Sequence, residues 1–327
     1  MHNFSDICGH EAIILSLQKS LGLGNHSHAY IFDGIEGVGK GLLAGVFAKA
    51  LQCEENYKPC NECISCKAFG ASNHPDIIYV APKGTSSLGV DDIREQINQA
   101  AHIRPYKYKY KIFILDNADK MTPQAQNALL KTLEEPPSYA VFLLVSENFH
   151  NFLPTIISRC VILRLKPINI KKVEAYLADL GYGFSDAHPA AVVSSGSIGA
   201  ALMLVNDENF KEDRKEIGDI LNSLPDSNLW DILLLAKKLE KFKDNSVRML
   251  NFMHSWYRDA LVHKATGETD YFIQTDLSDN IKLFSDQMSF KKLVCGVDSI
   301  LGAGYSLKSN GNYLLTMEVM LMKMAGF

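Results

Sequence analysis

The sequence predicts an α/β protein built on a parallel sheet covered on both faces, followed by an all-helical remainder. Residues 29–32 and 140–146 read as strands, and the apolar run within 111–115 is too uniform for a sheet with one wet face. Segments of helical period separate them, the alternation expected of parallel strands. Past Lys166-Pro167 the strand signals cease, and from about residue 208 the pattern is helical to the end.

Residues 9–23 carry helical spacing through Ile13, Ile14, Leu17 and Leu21, and residues 29–32 read as the first buried strand. The loop Gly34-Ile-Glu-Gly-Val-Gly39-Lys40 follows at once. Leu42, Leu43, Val46, Phe47, Ala50 and Leu51 then continue as an amphipathic helix. Strand, glycine loop, helix is the context that gives a phosphate-loop motif its meaning. Residues 76–80 are expected as a second strand, 90–103 as a helix and 111–115 as a third strand ending at Asp116. A helix over 127–133 is stopped by Pro136-Pro137, since proline disfavours helix before it and cannot continue one. Residues 140–146 and 161–165 complete five strands. Short helices punctuated by Gly181, Gly183, Gly196 and Gly199 follow. Three domains are therefore expected: 1–166 α/β with a cysteine insertion at 53–66, 167–207 small and helical, and 208–327 a helical bundle.

With 327 residues, 47% hydrophobic and 21% charged, the composition is that of an ordinary globular protein. No apolar stretch is long enough to span a bilayer, and the first residues lack the basic start and apolar core of a signal peptide, so a cytoplasmic protein is expected. The net charge of −4 gives no global footprint for nucleic acid. The basic, tyrosine-rich stretch from Arg104 to Lys111 reads as a solvated strand entry. At period two, Lys107, Lys109 and Lys111 would share one face.

Four of the seven cysteines fall in one window, Cys53, Cys60, Cys63 and Cys66. In a cytoplasmic chain such a cluster is expected to bind metal rather than to oxidise. Four thiolates with no position left for water describe a closed, structural Zn²⁺ site. Cys8, Cys160 and Cys295 have no such company.

Gly34, Gly37 and Gly39 allow phosphate to approach the backbone N–H groups at the start of a helix, and Lys40 can reach the β and γ phosphates. Yet Gly41 stands where an active loop carries a Ser or Thr hydroxyl for Mg²⁺. Asp116 supplies an acid for the metal's water shell. The next residue, Asn117, is an amide where a hydrolysing enzyme carries a glutamate, and an amide cannot accept a proton from water. A degenerate site is expected, holding ATP or ADP weakly or not at all.

The segment Asn127-Ala-Leu-Leu-Lys-Thr-Leu-Glu-Glu-Pro-Pro137, with Ser158-Arg159-Cys160 and the cysteine insertion, resembles the bacterial DNA polymerase III clamp-loader subunits of the AAA+ class. The resemblance implies a RecA-like AAA+ P-loop domain, a helical lid and a C-terminal collar. Motor members have an intact Lys-Thr and Asp-Glu, and a lid arginine at the place of Gly199 in Gly196-Ser-Ile-Gly199. Gly41, Asn117 and Gly199 therefore resemble a stator that does not hydrolyse ATP. The family implies a heteropentamer with gamma/tau and delta subunits that places a sliding clamp on primed DNA. It also implies Arg159 as a trans arginine finger to a neighbour's ATP. Taken alone, Arg159 equally suits a surface salt bridge, and Glu134 and Glu135 suit a solvated turn at least as well as an interface role. Two alternatives stand beside the stator: an active ATPase motor, and a zinc-containing adaptor touching DNA through the Arg104–Lys111 stretch.

Overall fold

The computed structural model describes residues 2–56, 58–82, 88–207 and 209–327. Five parallel strands form one sheet: β1 Ala29–Asp33, β2 Ile77–Val80, β3 Lys111–Leu115, β4 Ala140–Ser146 and β5 Val161–Arg164. Their order is β2-β3-β4-β1-β5. Every residue of β3 and β4 is buried, whereas the edge strands β2 and β5 are each partly exposed. Helices cover both faces of the central strands and leave the edges partly wet, which is why only the centre reads as unbroken apolar sequence. Phe113 and Phe142 pair in register and stack with ring centroids 5.3 Å apart.

The helices are α1 Glu11–Leu23, α2 Lys40–Gln52, α3 Ile64–Gly70, α4 Val90–Ile93, α5 Pro123–Glu134 and α6 Pro154–Ile157. They continue with α7 Ile170–Asp179, α8 Phe184–Val193, α9 Ile198–Val205, α10 Phe210–Ser223, α11 Leu229–Lys238, α12 Ser246–Thr266, α13 Ser278–Gln287, α14 Phe290–Lys308 and α15 Tyr313–Ala325. None of the described helices is long and apolar enough to cross a membrane. The chain divides into two compact units, Met1–Lys172 with Ser197–Gly199, and Val173–Gly196 with Ala200–Phe327.

In the first unit, Ile31, Phe113, Leu115, Phe142 and Leu144 of the sheet pack with Leu129 and Leu133 of α5, Ile93 of α4, Ile97 and Ile156. Helix α5 starts at Pro123, earlier than the apolar pattern suggests, because Thr122 caps it: its Oγ1 accepts the Ala125 N–H at 3.2 Å. The expected helix over 90–103 is present as one helical run to residue 101, made of α4, a π-helical stretch Arg94–Gln99 and a last turn.

The stretch before β3 is not extended. The buried Asp76 carboxylate accepts the N–H groups of Tyr106, Lys107 and Tyr108 at 2.5, 2.9 and 3.0 Å and curls the chain around itself. The period-two reading therefore fails. Lys107 and Lys109 are exposed, but Lys111 is buried and donates to the Ile103 carbonyl at 3.2 Å.

The second unit is helical. Trp256 and Tyr257 of α12 are fully buried, and the Tyr257 ring meets Phe284 of α13 edge-on at 5.1 Å. Gly296 of α14 makes room for that tyrosine, since a Cβ there would lie 2.1 Å from Tyr257 Cε1.

Candidate functional site

A cleft of about 320 Å³ opens where β1, β3 and β4 end, lined by Gly37, Lys40, Gly41, Asp116, Asn117 and Glu147 among others. This is where open α/β sheets place ligands. Gly34, Gly37 and Gly39 all have positive φ, at 157, 70 and 104°. At Gly39, the left-handed residue that starts α2, any side chain would be strained. Gly34 meets a harder limit: a Cβ there would fall 2.4 Å from the Leu165 carbonyl oxygen. The loop thus has the shape the glycine motif predicts.

Lys40 folds back on the loop, its Nζ donating to the carbonyls of Gly34 at 2.7 Å and Ile35 at 2.9 Å. Burial pushes the lysine's pKa down, and the charges of Glu147, Asp116, Asp119 and Asp33 push it back up. Glu147, just past β4, went unnoticed in the sequence because an acid after an apolar run reads as a strand end. It places a second carboxylate, with that of Asp116, in a cleft where position 41, a glycine, offers no hydroxyl to a cation. A Cβ on Gly41 would meet nothing within 4 Å, so packing does not require glycine there. Asn117 is in the left-handed region at φ 49°, and its Oδ1 accepts Lys120 Nζ at 2.9 Å.

Residues 197–199 sit directly on the glycine loop. Ser197 Oγ donates to the Glu36 carbonyl and Gly199 N–H to the Gly37 carbonyl, both at 2.8 Å. A Cβ on Gly199 would lie 2.9 Å from Gly37 Cα and 3.3 Å from its oxygen. Glycine is required here by the approach of one backbone to another.

Arg159 follows α6. Its guanidinium pairs with Glu134 Oε1 at 2.8 Å and donates through Nη1 to the Thr155 carbonyl at 2.9 Å and Ser158 Oγ at 3.3 Å. About a third of the side chain is exposed. Cys160 packs against the core, and burial pushes its thiol pKa up to about 12. Within Ser158-Arg159-Cys160, the serine braces the guanidinium and the cysteine anchors the turn. The sequence readings of Glu134, a solvated turn or an interface role, did not include its part in holding Arg159.

The four clustered cysteines converge. Their sulfurs all lie within 4.8 Å of one another, close enough to hold a metal ion. Backbone N–H groups point at them: Cys60 N–H at Cys53 Sγ (3.4 Å), Cys63 and Glu62 N–H at Cys60 Sγ (3.3 and 3.4 Å), and Cys66 N–H at Cys63 Sγ (3.4 Å). Such donors favour thiolate. The Cys63 and Glu62 N–H groups draw the Cys60 pKa down to about 7, while burial pushes Cys66 and Cys53 up. The donor set is all sulfur and tightly spaced, as a closed tetrathiolate site requires.

Comparison with known proteins adds the following. A family model described as DNA polymerase III, delta subunit, matches residues 9–169, and one described as DNA polymerase III, delta subunit, C terminal, matches residues 208–325. The chain is 30% identical to DNA polymerase III subunit tau of Bacillus subtilis, over 98% of this chain and 61% of that protein. It is 31% identical to subunit gamma of Buchnera aphidicola, over 77% of this chain and 72% of that protein. It is 29% identical to subunit delta' of Bacillus subtilis, over 90% of each. It thus spans less than two thirds of the tau chain's length. A crystal structure of a gamma subunit-related protein from Thermotoga maritima aligns with a TM-score of 0.45 at 22% identity, over 94% of this chain and 98% of that one.

Proposed function

The chain belongs to the DNA polymerase III gamma/tau and delta' subunit family, and from that premise we propose that it is a stator of the clamp loader, which completes a neighbour's ATP site without hydrolysing ATP itself. One observation carries this reading: Arg159 is held at a partly exposed turn while in the chain's own cleft Lys40 turns onto the carbonyls of Gly34 and Ile35, with Asp116 and Glu147 in the lining.

In its own cleft, Gly41 offers no oxygen to Mg²⁺, and Asn117 cannot take a proton from an attacking water. Gly34, Gly37, Gly39, Lys40 and Asp116 at most retain a nucleotide weakly. Across a subunit boundary, Arg159 exchanges Glu134 for the γ-phosphate of the neighbour's ATP. It then supplies fixed positive charge where negative charge accumulates during transfer. The pair it leaves behind is half-exposed and cheap to break. A structural zinc held by Cys53, Cys60, Cys63 and Cys66 would supply cross-linking of the 53–66 insertion and no catalysis.

The proposed organisation is 1–166 AAA+ domain, 167–207 lid and 208–327 collar. The proposed setting is a cytoplasmic heteropentamer with gamma/tau and delta subunits that loads the sliding clamp on primed DNA. Hydrolysis by the isolated chain tests the stator assignment. Background turnover is expected; turnover above background that disappears in Lys40→Ala overturns it.

A further inference from the structure

Lys49 sits in the last turn of α2, four residues before Cys53, with only 2% of its surface exposed. Its Nζ donates to the His2 carbonyl and to Asn61 Oδ1, both at 2.5 Å, and Asn61 Nδ2 donates to Asn3 Oδ1 at 2.7 Å. Both acceptors of the lysine are neutral. Among the described residues no carboxylate lies within ion-pairing distance of it. A buried, unpaired ammonium is costly, so an opposite charge close by is expected.

The metal module supplies one. Asn61, which holds the ammonium, lies in the turn between Cys60 and Cys63 and has φ 64°. Burial pushes the Lys49 pKa down; Cys66 opposes this most, followed by Asp6, Cys53 and Cys60. Asp6, whose Oδ2 accepts the Asn3 N–H at 2.7 Å, keeps its charge but makes no ion pair with Lys49 and acts on it only at longer range. Four thiolates around a divalent cation sum to two negative charges in a half-buried pocket, one of which a nearby ammonium could offset.

We infer that Lys49 is the counter-charge of the Cys53, Cys60, Cys63 and Cys66 metal centre, and that it docks the N-terminal residues His2 and Asn3 onto the loaded module. This rests on the metal reading of the cysteine cluster. Without metal the module offers Lys49 less negative charge, since protonated thiols are neutral. The lysine therefore favours the loaded state over the empty one.

The test is zinc competition against a chromophoric chelator on the full chain, with melting curves of the zinc-loaded and zinc-free forms. Lys49→Gln keeps a donor for the His2 carbonyl and removes the charge; Lys49→Arg keeps the charge. Lys49→Gln is expected to weaken zinc binding roughly 10- to 100-fold, the usual effect of a residue acting through metal ligands. Lys49→Arg should hold zinc more tightly than Lys49→Gln. The zinc-free Lys49→Gln chain should melt no lower than zinc-free wild type. Unchanged zinc affinity in Lys49→Gln overturns the assignment. So does an equal loss of melting temperature with and without zinc, which marks a mere tether. Wild type that binds no zinc, and gives no sulfur-to-metal charge-transfer band with Co²⁺, fails the metal reading itself.

Discussion

Replacing Gly199 with alanine puts a methyl group 2.9 Å from Gly37 Cα and 3.3 Å from Gly37 O, with backbone on the receiving side rather than a side chain that can swing away. Overpacking of this kind costs about 1–3 kcal/mol. If the two backbones part, the 2.8 Å bond from Gly199 N–H to Gly37 O is lost as well, worth about 1 kcal/mol. The loss falls on the contact between residues 197–199 and the glycine loop, since the sheet core is untouched. Amide hydrogen exchange reads this directly: a local loss of about 1–3 kcal/mol speeds exchange of the residue-199 amide roughly 5- to 150-fold. Amides inside β3 and β4 should keep wild-type rates. Equal exchange at residue 199 in the alanine variant would refute the argument that backbone contact requires glycine there.

The Arg159–Glu134 pair invites a sharper contrast. At 2.8 Å its Coulomb energy is about 1.5 kcal/mol in water's dielectric, and exposure of 34% and 47% for the two side chains reduces the net worth below about 1 kcal/mol. Glu134→Gln should therefore change a partner's ATPase by less than about fivefold; a loss comparable to that of Arg159→Ala would make Glu134 part of the reacting site. In the helical unit, Gly296→Ala forces a Cβ to 2.1 Å from Tyr257 Cε1 and should cost about 1–3 kcal/mol in urea unfolding followed by tyrosine fluorescence. An unchanged midpoint would mean that α12 and α14 are not packed as described. Asp76→Asn removes the charge from an acceptor of three backbone N–H groups and should lower stability by roughly 1.5–3 kcal/mol. Unaltered urea stability would contradict the view that Asp76 organises the turn before β3.

The sheet was legible in the sequence because β1, β3 and β4 are buried on both faces, and the glycine loop because its spacing fixes both turn and helix start. What stayed hidden depends on residues far apart in the chain. Asp76 reaches forward some 30 positions to shape 106–108, so local alternation of lysine and tyrosine suggested a strand that is not there. Arg159 and Glu134, 25 positions apart, meet only once β4 and α6 bring the chain back. Lys49 gave no sequence signal, since α2 is buried nearly all round from Leu43 to Gln52 and helical period does not show that its charged positions are covered as well. Glu147 gave no signal, since its meaning comes from the cleft that Lys40 and Asp116 share with it.

The central claim is a division of labour between Arg159 and Lys40, and a single-turnover measurement decides it. A clamp loader is reconstituted with active motor subunits, and ATP cleavage at the site bordering this chain is followed in wild type, Arg159→Ala and Lys40→Met. Arg159→Ala should lower cleavage roughly 10³-fold or more, and Lys40→Met should leave it at the wild-type rate. Cleavage that survives loss of Arg159, or that depends on Lys40, would contradict the claim.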